Sequence, residues 1–357
     1  MKLKELFTFL PKSDKPASYG KESGMYPFFT SSNVINKYVD EADYSGEFLI
    51  IGDGGTGNCK YYNGAFSASD HNYVLKPINH KNTRLIRYFL MKDDYKVLNE
   101  GFKGVGIKNI SKSYIGEIEY SKNSKYSDEF VVDSLDHING EIDKLNKELF
   151  LFDELIKSRF IEMFGTPDES RFIKKKIIDT CKVITGNTPS RKISEFYGNY
   201  IEWIKTDNIL STQLYPSKAN ECLSEKGVIV GKVVDRNSIL MVCIAGSLSS
   251  LGRVCITNKK VAFNQQINAI IPNEYNVYFL YELLRLSKEY IISDISMAVK
   301  GMLTKTKLEN KEFILPPIEL QNEFAKFVNQ IDKLKFSRLV GNSMKFSKKI
   351  GGICAWN

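Results

Sequence analysis

Two short segments carry residue types that bind cofactors or phosphate groups, but each lacks a partner that the chemistry needs. Phe102–Gly106 has the FxGxG spacing of a methyl-donor loop, yet no Asp/Asn-Pro-Pro-Tyr/Phe segment is present to hold a target amine. Gly52–Gly57 has the glycine content of a phosphate loop, but Asn58 and Cys59 stand where Lys and Ser/Thr are required. A tight turn between two strands explains this second segment better.

Metal and nucleophile chemistry finds no support in the residue spacing. His71, His80 and His137 form no spaced pair, and the six cysteines form no CxxC pair. No acidic pair with a lysine after a strand indicates a nuclease. We therefore expect no catalytic residue, no metal site and no cofactor in this chain.

A polyanionic partner fits the composition better, because the formal net charge is +8. Proteins contact DNA phosphates with Lys, Arg and short polar groups, and base edges with Arg, Lys, Asn and Gln. Such residues cluster in turns and basic pairs here, although a solvated turn explains any single one equally well, and Trp203 is expected in the core. The candidate DNA contacts are Lys60, Tyr61, Tyr62, Asn63, Lys174, Lys175, Arg191, Lys192, Lys259, Lys260, Asn264, Gln265 and Gln266.

Two segments have the heptad spacing of a coiled coil. Their apolar residues recur every three or four positions, and so narrow a stripe buries against a single partner helix. Both segments contain Ile-Asp-Lys-Leu, so we predict that they form an antiparallel pair. The predicted pairing residues are Leu135, Ile138, Ile142, Leu145, Leu149, Phe152 and Ile156 in the first helix, and Leu320, Phe324, Phe327, Ile331 and Leu334 in the second.

An internal repeat relates the regions that precede the two helices. Phe66–Pro77 parallels Val261–Pro272, and Gly106 falls opposite Gly301 at the same offset. Strands are expected at 47–52, 60–62 and 72–76 in the first copy, and at 200–205, 238–245, 253–257 and 267–271 in the second, with helices at 84–91 and 277–291.

These elements predict an α+β chain in which two globular α/β domains are separated by two long helices. The expected division is a first domain over 1–120, a linker and spacer helix over 121–165, a second domain over 166–315 and a second spacer helix over 316–357. Antiparallel pairing of the helices would relate the two copies by a pseudo-twofold. The first heptad segment, 22 residues long, spans roughly 33 Å. That length is close to the ~34 Å between sites one duplex turn apart, so it favours two heads on DNA.

Composition bounds the remaining function classes. Apolar residues make up 43% and charged residues 26% of the chain, and no apolar run reaches eighteen residues. We therefore expect neither a membrane span nor export. Cys243 and Cys255 stand in apolar, strand-like runs, where reduced buried thiols are expected, and this favours the cytoplasm.

In their order and duplication, the motifs resemble the DNA-specificity subunit of type I restriction–modification systems. The segments that carry the resemblance are Tyr26–Ser32, Phe48–Gly55, Ser69–Leu75, Ile184–Pro189, Ile201–Asp207, Ala262–Gln266 and Leu315–Gln321. The resemblance implies two target-recognition domains, each contacting half of a bipartite site in the major groove. It implies helices that set the spacer and dock two methyltransferase subunits, which endonuclease/translocase subunits then join. S-adenosylmethionine, ATP and Mg²⁺ would belong to those partners, and the family does not fix the base contacts.

Two departures from the family pattern stand out. Gly116–Ser121 replaces the usual Pro-Pro-x-x-x-Gln before the first helix, and Arg338 and Gly341 occupy seam positions after Leu334. The lost seam predicts a short second helix and weakened assembly. Two other hypotheses stay open. An adenine-specific DNA methyltransferase would bind a cofactor, and a coiled-coil protein-binding scaffold would show no salt-dependent affinity for DNA.

Overall fold

The computed structural model describes residues 1–79, 83–106, 108–121, 126–166, 171–293, 295 and 301–353, with side chains described up to residue 341. The chain forms two compact units. The first contains Met1–Leu145 and the chain from Val340 onward, and the second contains Asn146–Leu339. Both combine sheets with helices, which confirms the α+β class. The division falls inside the first long helix, and the four-part boundaries stay a prediction.

The first unit is built on a six-stranded sheet in the order β1-β6-β4-β5-β2-β3. The predicted strands at 47–52, 60–62 and 72–76 and the helix at 84–91 lie inside its elements and are confirmed. These elements are α1 Leu3–Leu6, β1 Phe7–Phe9, β2 Tyr26–Phe29, β3 Tyr38–Val39, β4 Tyr44–Gly52, β5 Cys59–Ala68, β6 Asn72–Pro77, α2 Thr83–Asn99, α3 Lys112–Glu117 and the start of α4 Asp128–Phe164.

Strand β4 is buried on both faces, which explains its unbroken apolar run. Leu49 and Ile51 pack into a cluster with residues of α2, α3 and α4. Phe48 and Ile50 pack on the opposite face, in a cluster that contains Phe29 and Phe66. Successive strand residues point to opposite faces, so a run without alternation indicates two covered faces.

The second unit has a five-stranded sheet, β12-β16-β10-β11-β9, a four-stranded sheet, β15-β13-β17-β8, and two strand pairs, β14-β18 and β19-β7. All four predicted strands are confirmed, and the predicted helix at 277–291 is divided at Ser287. The elements are β7 Lys174–Lys176, α5 Ile177–Thr180, β8 Cys181–Thr185, β9 Tyr197–Gly198, β10 Ile201–Ile204, β11 Cys222–Leu223, α6 Glu225–Val230, β12 Val233–Val234, β13 Ile239–Val242, β14 Ile244–Ala245, β15 Val254–Ile256, β16 Val261–Phe263, β17 Ile267–Pro272, α7 Val277–Leu286, α8 Lys288–Ile292, β18 Gly301–Met302, α9 Lys305–Glu309, β19 Glu312–Ile314 and α10 Ile318–Ile353.

The internal repeat is present element by element. Helices α1 and α5 are 174 residues apart, and strands β6 and β17 begin and end 195 residues apart. One detail of the predicted alignment is wrong. The bridge between Gly54 and Asn109 matches the pairing of Ile244 with Met302, which gives an offset of 193 for the later segment. At this offset Gly301 corresponds to Lys108, and not to Gly106.

In the second unit, the C-terminal part of α4 lies antiparallel to α10. Three ion pairs connect the helices, and the residue numbers of the two partners run in opposite directions. Nη2 of Arg159 is 3.0 Å from Oε1 of Glu323, and Nζ of Lys335 is 2.9 Å from Oδ1 of Asp153. Nε of Arg338 is 3.5 Å from Oε2 of Glu148. The structure thus confirms the predicted antiparallel direction for this stretch.

An aromatic cluster anchors the helix pair on the body of the second unit. The ring of Phe324 lies 5.5 Å from that of Phe160 and 5.6 Å from that of Phe164, and Phe164 lies 4.9 Å from Phe279 of α7. Ile156, Val328 and Ile331 are buried in the same cluster, with Phe152, Leu320 and Phe327 packed against it.

The predicted pairing residues divide between several surroundings. Leu135 and Ile138 pack into the core of the first unit, and Leu145 is buried. Ile142 and Leu334, in contrast, are 37% and 51% exposed. Phe160, Phe164 and Val328, which the heptad pattern omitted, are buried instead. Their four-residue spacing places them toward the core of the second unit as well as toward the partner helix.

The short second helix predicted from the lost seam is wrong. Helix α10 continues from Ile318 to Ile353, well past Leu334. At the seam position of Arg338, a salt bridge to Glu148 replaces the apolar contact. Apart from Gly341, Gly351 and Gly352, the residues of α10 after Leu334 are not helix breakers, so polar contacts are enough to continue the helix.

Candidate nucleic-acid interface

In the first unit, the loop from Ser69 to His71 is tied to two other strand ends by main-chain hydrogen bonds. The amide of Ser69 donates to the carbonyl of Phe29 at 2.8 Å, and the amide of Asp53 donates to the carbonyl of His71 at 3.1 Å. The amide of Asn72 closes the loop on the carbonyl of Ser69 at 3.1 Å. The loops after β2, β4 and β5 therefore meet at one place, which we call the polar edge of the unit.

The second unit repeats this arrangement bond for bond. The amide of Asn264 donates to the carbonyl of Ile204 at 3.0 Å, and the amide of Cys243 donates to the carbonyl of Gln266 at 2.8 Å. The amide of Ile267 donates to the carbonyl of Asn264 at 3.1 Å. Asn264, Gln265 and Gln266 thus form the polar edge of the second unit, and Ser69, Asp70 and His71 are their counterparts.

A loop that follows β8 packs closely on this edge. A Cβ atom on Gly186 would lie 2.1 Å from the carbonyl oxygen of Asn264, so only glycine fits there. The amide of Asn187 donates to the carbonyl of Phe263 at 3.2 Å, and its side chain donates to the carbonyl of Val230 at 2.8 Å. Thr188 then donates through its hydroxyl to the side-chain oxygen of Gln265. These bonds place Thr188 and Gln265 side by side on the surface.

Aromatic and charged residues extend the polar edge of the second unit. The guanidinium of Arg191 lies 4.6 Å from the ring centroid of Tyr197 and 5.1 Å from that of Trp203. Glu221 bridges Arg191 at 2.7 Å and Lys205 at 2.5 Å. The bond from Lys205 is the largest cause that lowers the pKa of Glu221, so its carboxylate is ionised at neutral pH.

Trp203 is 3% exposed, which confirms its predicted place in the core. Its indole N–H donates to the carbonyl of Asn187 at 3.3 Å and thereby connects the core to the loop after β8. Its ring also has Lys205 close by, with Nζ 5.1 Å from the centroid. Trp203 therefore positions the surface residues above it and offers no face for a base to stack on.

The polar edge of the first unit carries a different set of charges. Asp53 is buried, accepts a hydrogen bond from Lys12 and lies 3.0 Å from Nδ1 of His71. Lys103 and Lys108 are exposed beside it. The carbonyl of Lys108 accepts from the amide of Gly55 at 3.1 Å, which holds this basic segment against the Gly52–Gly57 loop. That loop connects β4 with β5, as predicted for a turn between strands.

The structure brings together only some of the predicted DNA contacts. Arg191, Lys192, Asn264, Gln265 and Gln266 belong to the polar edge of the second unit. Lys259 and Lys260 lie at the opposite end of β16, where Lys259 pairs with Glu202 at 2.6 Å. The remaining predicted contacts are in the first unit or in β7.

Tyr61, Tyr62 and Asn63 are strand residues of β5 and not turn residues. Tyr61 and Tyr62 pack partly against the core, and Asn63 is exposed. Lys174 and Lys175 lie in β7, which pairs with β19, and Nζ of Lys175 is 3.0 Å from Oε2 of Glu274. This strand pair is a third location, remote in the fold from the loops of the polar edge.

Two predicted contacts are buried. The ammonium of Lys60 donates to the carbonyl of Thr30 at 3.1 Å and to the side-chain oxygen of Asn58 at 3.0 Å, and burial lowers the pKa of Lys60 to about 8. Asn264 is 5% exposed and bonds within its own loop. Their positions argue against direct contact with a phosphate. Both hold the polar edge in shape.

Sequence reasoning missed several residues of the first polar edge, namely Lys12, His71, Lys103 and Lys108. The repeat contained the signal, because Gln266 less 195 positions is His71. His71 was instead weighed only as a metal ligand. No group of three or more His, Cys, Asp or Glu side chains suited to a metal occurs in the part of the chain that the structure describes. Within the same part, no helix is long and apolar enough to cross a membrane.

The chain matches the family model of the type I restriction modification DNA specificity domain twice, over residues 1–149 and 169–338. It is 32% identical over 177 residues to the Type I restriction enzyme HindI specificity subunit of Haemophilus influenzae, with 48% of this chain and 37% of that protein covered. It is 28% identical over 192 residues to the MjaIX specificity subunit of Methanocaldococcus jannaschii, with 50% and 43% covered. The alignments thus span less than half the length of these relatives.

A solved structure shares the fold over nearly the whole chain. The S subunit of a type I restriction–modification system from M. genitalium superposes with a TM-score of 0.59 at 14% identity, covering 99% of this chain and 94% of that one. At this identity the likeness concerns the fold alone. With the two family-model matches, which cover most of the sequence, the chain belongs to the family of type I restriction modification DNA specificity domains.

Proposed function

We propose that this chain is the non-catalytic DNA-specificity subunit of a type I restriction–modification complex, and that each unit recognises half of a bipartite duplex site. The observation that carries the proposal is the duplicated polar edge. One set of main-chain hydrogen bonds presents different polar and cationic side chains in the two units. A fixed scaffold with exchangeable side chains is what recognition of two different base sequences requires.

The helices α4 and α10 hold the recognition units and dock two methyltransferase subunits, which endonuclease/translocase subunits join. Support comes from apolar side chains that the helices leave exposed, among them Phe150, Leu151 and Leu155 on α4 and Phe336 on α10. Exposed apolar residues in such number mark surfaces that bind other proteins. S-adenosylmethionine, ATP and Mg²⁺ would be bound by these partners.

The methyltransferase alternative receives no support from the FxGxG segment. Phe102–Gly106 follows helix α2, and Lys103 within it forms a β-bridge with Asn109. A cofactor loop of this kind needs a strand before it and a helix after it. Titration of the isolated chain with S-adenosylmethionine is expected to show no binding.

Affinity for duplex DNA across a salt series tests the proposed function. Each phosphate contact adds about −0.9 to the slope of log affinity against log salt, so a steep negative slope is expected. A flat response would leave only the protein-binding scaffold. Profiling of adenine methylation in cells with and without the chain then identifies the target. Loss of one bipartite motif is expected, and an unchanged profile would contradict a specificity role.

A further inference from the structure

Arg191 is exposed, yet three contacts hold it in place. Its side chain is 55% exposed, and Nη2 lies 2.7 Å from Oε2 of Glu221. The rings of Tyr197 and Trp203 lie within 5.1 Å of the guanidinium carbon. A surface arginine normally loses side-chain entropy when it binds, and a side chain ordered beforehand loses less.

The salt bridge leaves most of the guanidinium available. Only Nη2 is engaged, and the structure records no second polar partner for Arg191 among the residues that it describes. Glu221 also bonds Lys205, so two cations share one carboxylate and the site keeps an excess positive charge. A planar fork with free donors matches the two adjacent acceptors O6 and N7 that guanine presents in the major groove.

The place of Arg191 in the fold supports a base contact over a phosphate contact alone. It follows Thr188 by three residues, and Thr188 bonds Gln265 at the polar edge. Trp203, which packs under Arg191, is bonded to the carbonyl of Asn187 in the same loop. Lys259, by contrast, is an exposed cation of the same unit at the far end of β16.

We propose that Arg191 contacts O6 and N7 of a guanine in the half-site of the second unit, and that Glu221 is a positioning residue that sets the orientation of its guanidinium. This inference rests on the DNA recognition proposed above. The counterion Glu221 holds the guanidinium beside the ring of Trp203 before DNA arrives.

The test uses the full chain in complex with its methyltransferase subunits and the target found by methylation profiling. Each guanine of the target is replaced singly by 7-deazaguanine, which lacks the N7 acceptor. One replacement is expected to weaken wild-type binding roughly tenfold or more. Arg191→Ala is expected to weaken binding by a similar factor and to abolish sensitivity to that same replacement. Lys259→Ala is the matched control and keeps the full sensitivity.

Two conservative variants separate recognition from charge and from folding. Arg191→Lys keeps the charge, so its salt slope is expected to stay near that of the wild type, while the sensitivity to 7-deazaguanine falls because an ammonium lacks the planar fork of two donors. Glu221→Gln is expected to reduce that sensitivity severalfold without changing the salt slope. Independent, multiplicative losses from Arg191→Ala and from every 7-deazaguanine replacement would overturn the inference. Wild-type binding without salt dependence would instead overturn the proposed function itself.

Discussion

Each unit has a polar edge with the same main-chain hydrogen bonds, but the strands that support this edge differ between the units. In the first unit, β5 is one ten-residue strand, and Gly64 faces Gly46 of β4 across the pair. In the second unit, the stretch 195 residues later is divided into β15 and β16, with Thr257–Lys260 between them. The main-chain bonds of the edge are nevertheless the same. The geometry of the edge is therefore independent of how its supporting strands are joined.

A second difference lies one layer below the edge. In the first unit, the side-chain nitrogen of Asn58 donates to the carbonyl of Ser31 at 3.0 Å. In the second unit, Nη2 of Arg253 donates to the carbonyl of Thr206 at 3.2 Å. The two donors occupy corresponding positions, and so do the two carbonyls. The bond is retained while the residue that makes it changes.

The largest expected effect concerns how each unit holds α4. The first unit uses aliphatic residues such as Val131 and Ile138, and the second uses the aromatic cluster around Phe164. Phe164→Ala is expected to destabilise the second unit by about 3–5 kcal/mol, because it opens a cavity among packed rings. Amide hydrogen exchange in α7 should accelerate, whereas amides of β4 should keep their protection.

Phe150→Ala on the same helix is the control, since its side chain is 61% exposed. It is expected to change exchange in neither unit. Equal acceleration in β4 and α7 after Phe164→Ala would mean that the aromatic cluster does not belong to the second unit alone.

Asn58 and Arg253 should differ in how much they contribute to the free energy of unfolding. Asn58 is 2% exposed, accepts from the amide of Gly52 at 3.1 Å and also bonds the ammonium of Lys60. Asn58→Ala leaves several buried partners unsatisfied, so a loss of about 2–4 kcal/mol is expected. Arg253→Ala leaves only carbonyls that water can reach, and about 1 kcal/mol is expected. Urea unfolding followed by exchange in each unit measures both, and equal losses would contradict the comparison.

Lys60 gives the first unit a pH dependence that its counterpart Cys255 cannot supply. Burial lowers the pKa of Lys60 to about 8, so between pH 8 and about 10.5 the unfolded chain binds more protons at this group than the folded chain does. The contribution of this group to the free energy of unfolding therefore increases as pH rises through that window, by up to about 3 kcal/mol. Lys60→Met is expected to lack this rise.

Urea unfolding of the wild type and Lys60→Met from pH 7.5 to 10.5 measures the difference between the two curves. Titrating groups that do not interact with Lys60 contribute equally to both proteins and cancel. The thiol of Cys59 does interact with Lys60, but burial raises the pKa of Cys59 to about 12, above the pH range of the experiment. Parallel curves would show that burial does not lower the pKa of Lys60.

The smallest effect concerns the backbone of β4 at Gly46. Gly46 has φ +120°, a conformation that costs L residues about 1–3 kcal/mol. A Cβ atom there would meet only the ring of Phe48 at 3.9 Å, so backbone strain alone sets the cost of Gly46→Ala. Lys259→Ala, at the corresponding end of the second unit, should be neutral within about 0.5 kcal/mol. A neutral Gly46→Ala in thermal unfolding would show that the φ angle of Gly46 imposes no strain on alanine.

The sequence was sufficient for the duplicated plan and for most strands, because burial on two faces leaves long apolar runs. It was insufficient to predict which residues pack at the ends of the long helices. The heptad seam from Leu135 to Ile156 lies within a helix that runs from Asp128 to Phe164. Phe160 and Phe164 pack on Phe279, which is more than a hundred residues away in the sequence. The spacing of apolar residues within a helix does not predict such a contact.

Candidate contacts were harder to predict than elements. Residue type alone suggested Lys60 as a DNA contact. The structure shows that Lys60 is buried and that its ammonium donates hydrogen bonds to Thr30 and Asn58. Residue type gave His71 no role. The shared hydrogen bonds show that it is the counterpart of Gln266, as the 195-residue repeat indicates. Arg191 was predicted, but its aromatic support comes from strands whose pairing the sequence does not state.

Main-chain hydrogen bonds close the loops at Ser69–His71 and Asn264–Gln266. A substitution at an exposed position such as Gln265 leaves those main-chain bonds intact, so it alters what the surface touches at little cost in folding. Under the proposed function, single codon changes at such positions can alter the target preference without compensating mutations elsewhere. Gly186 is the exception: its contact with a carbonyl oxygen leaves no room for variation.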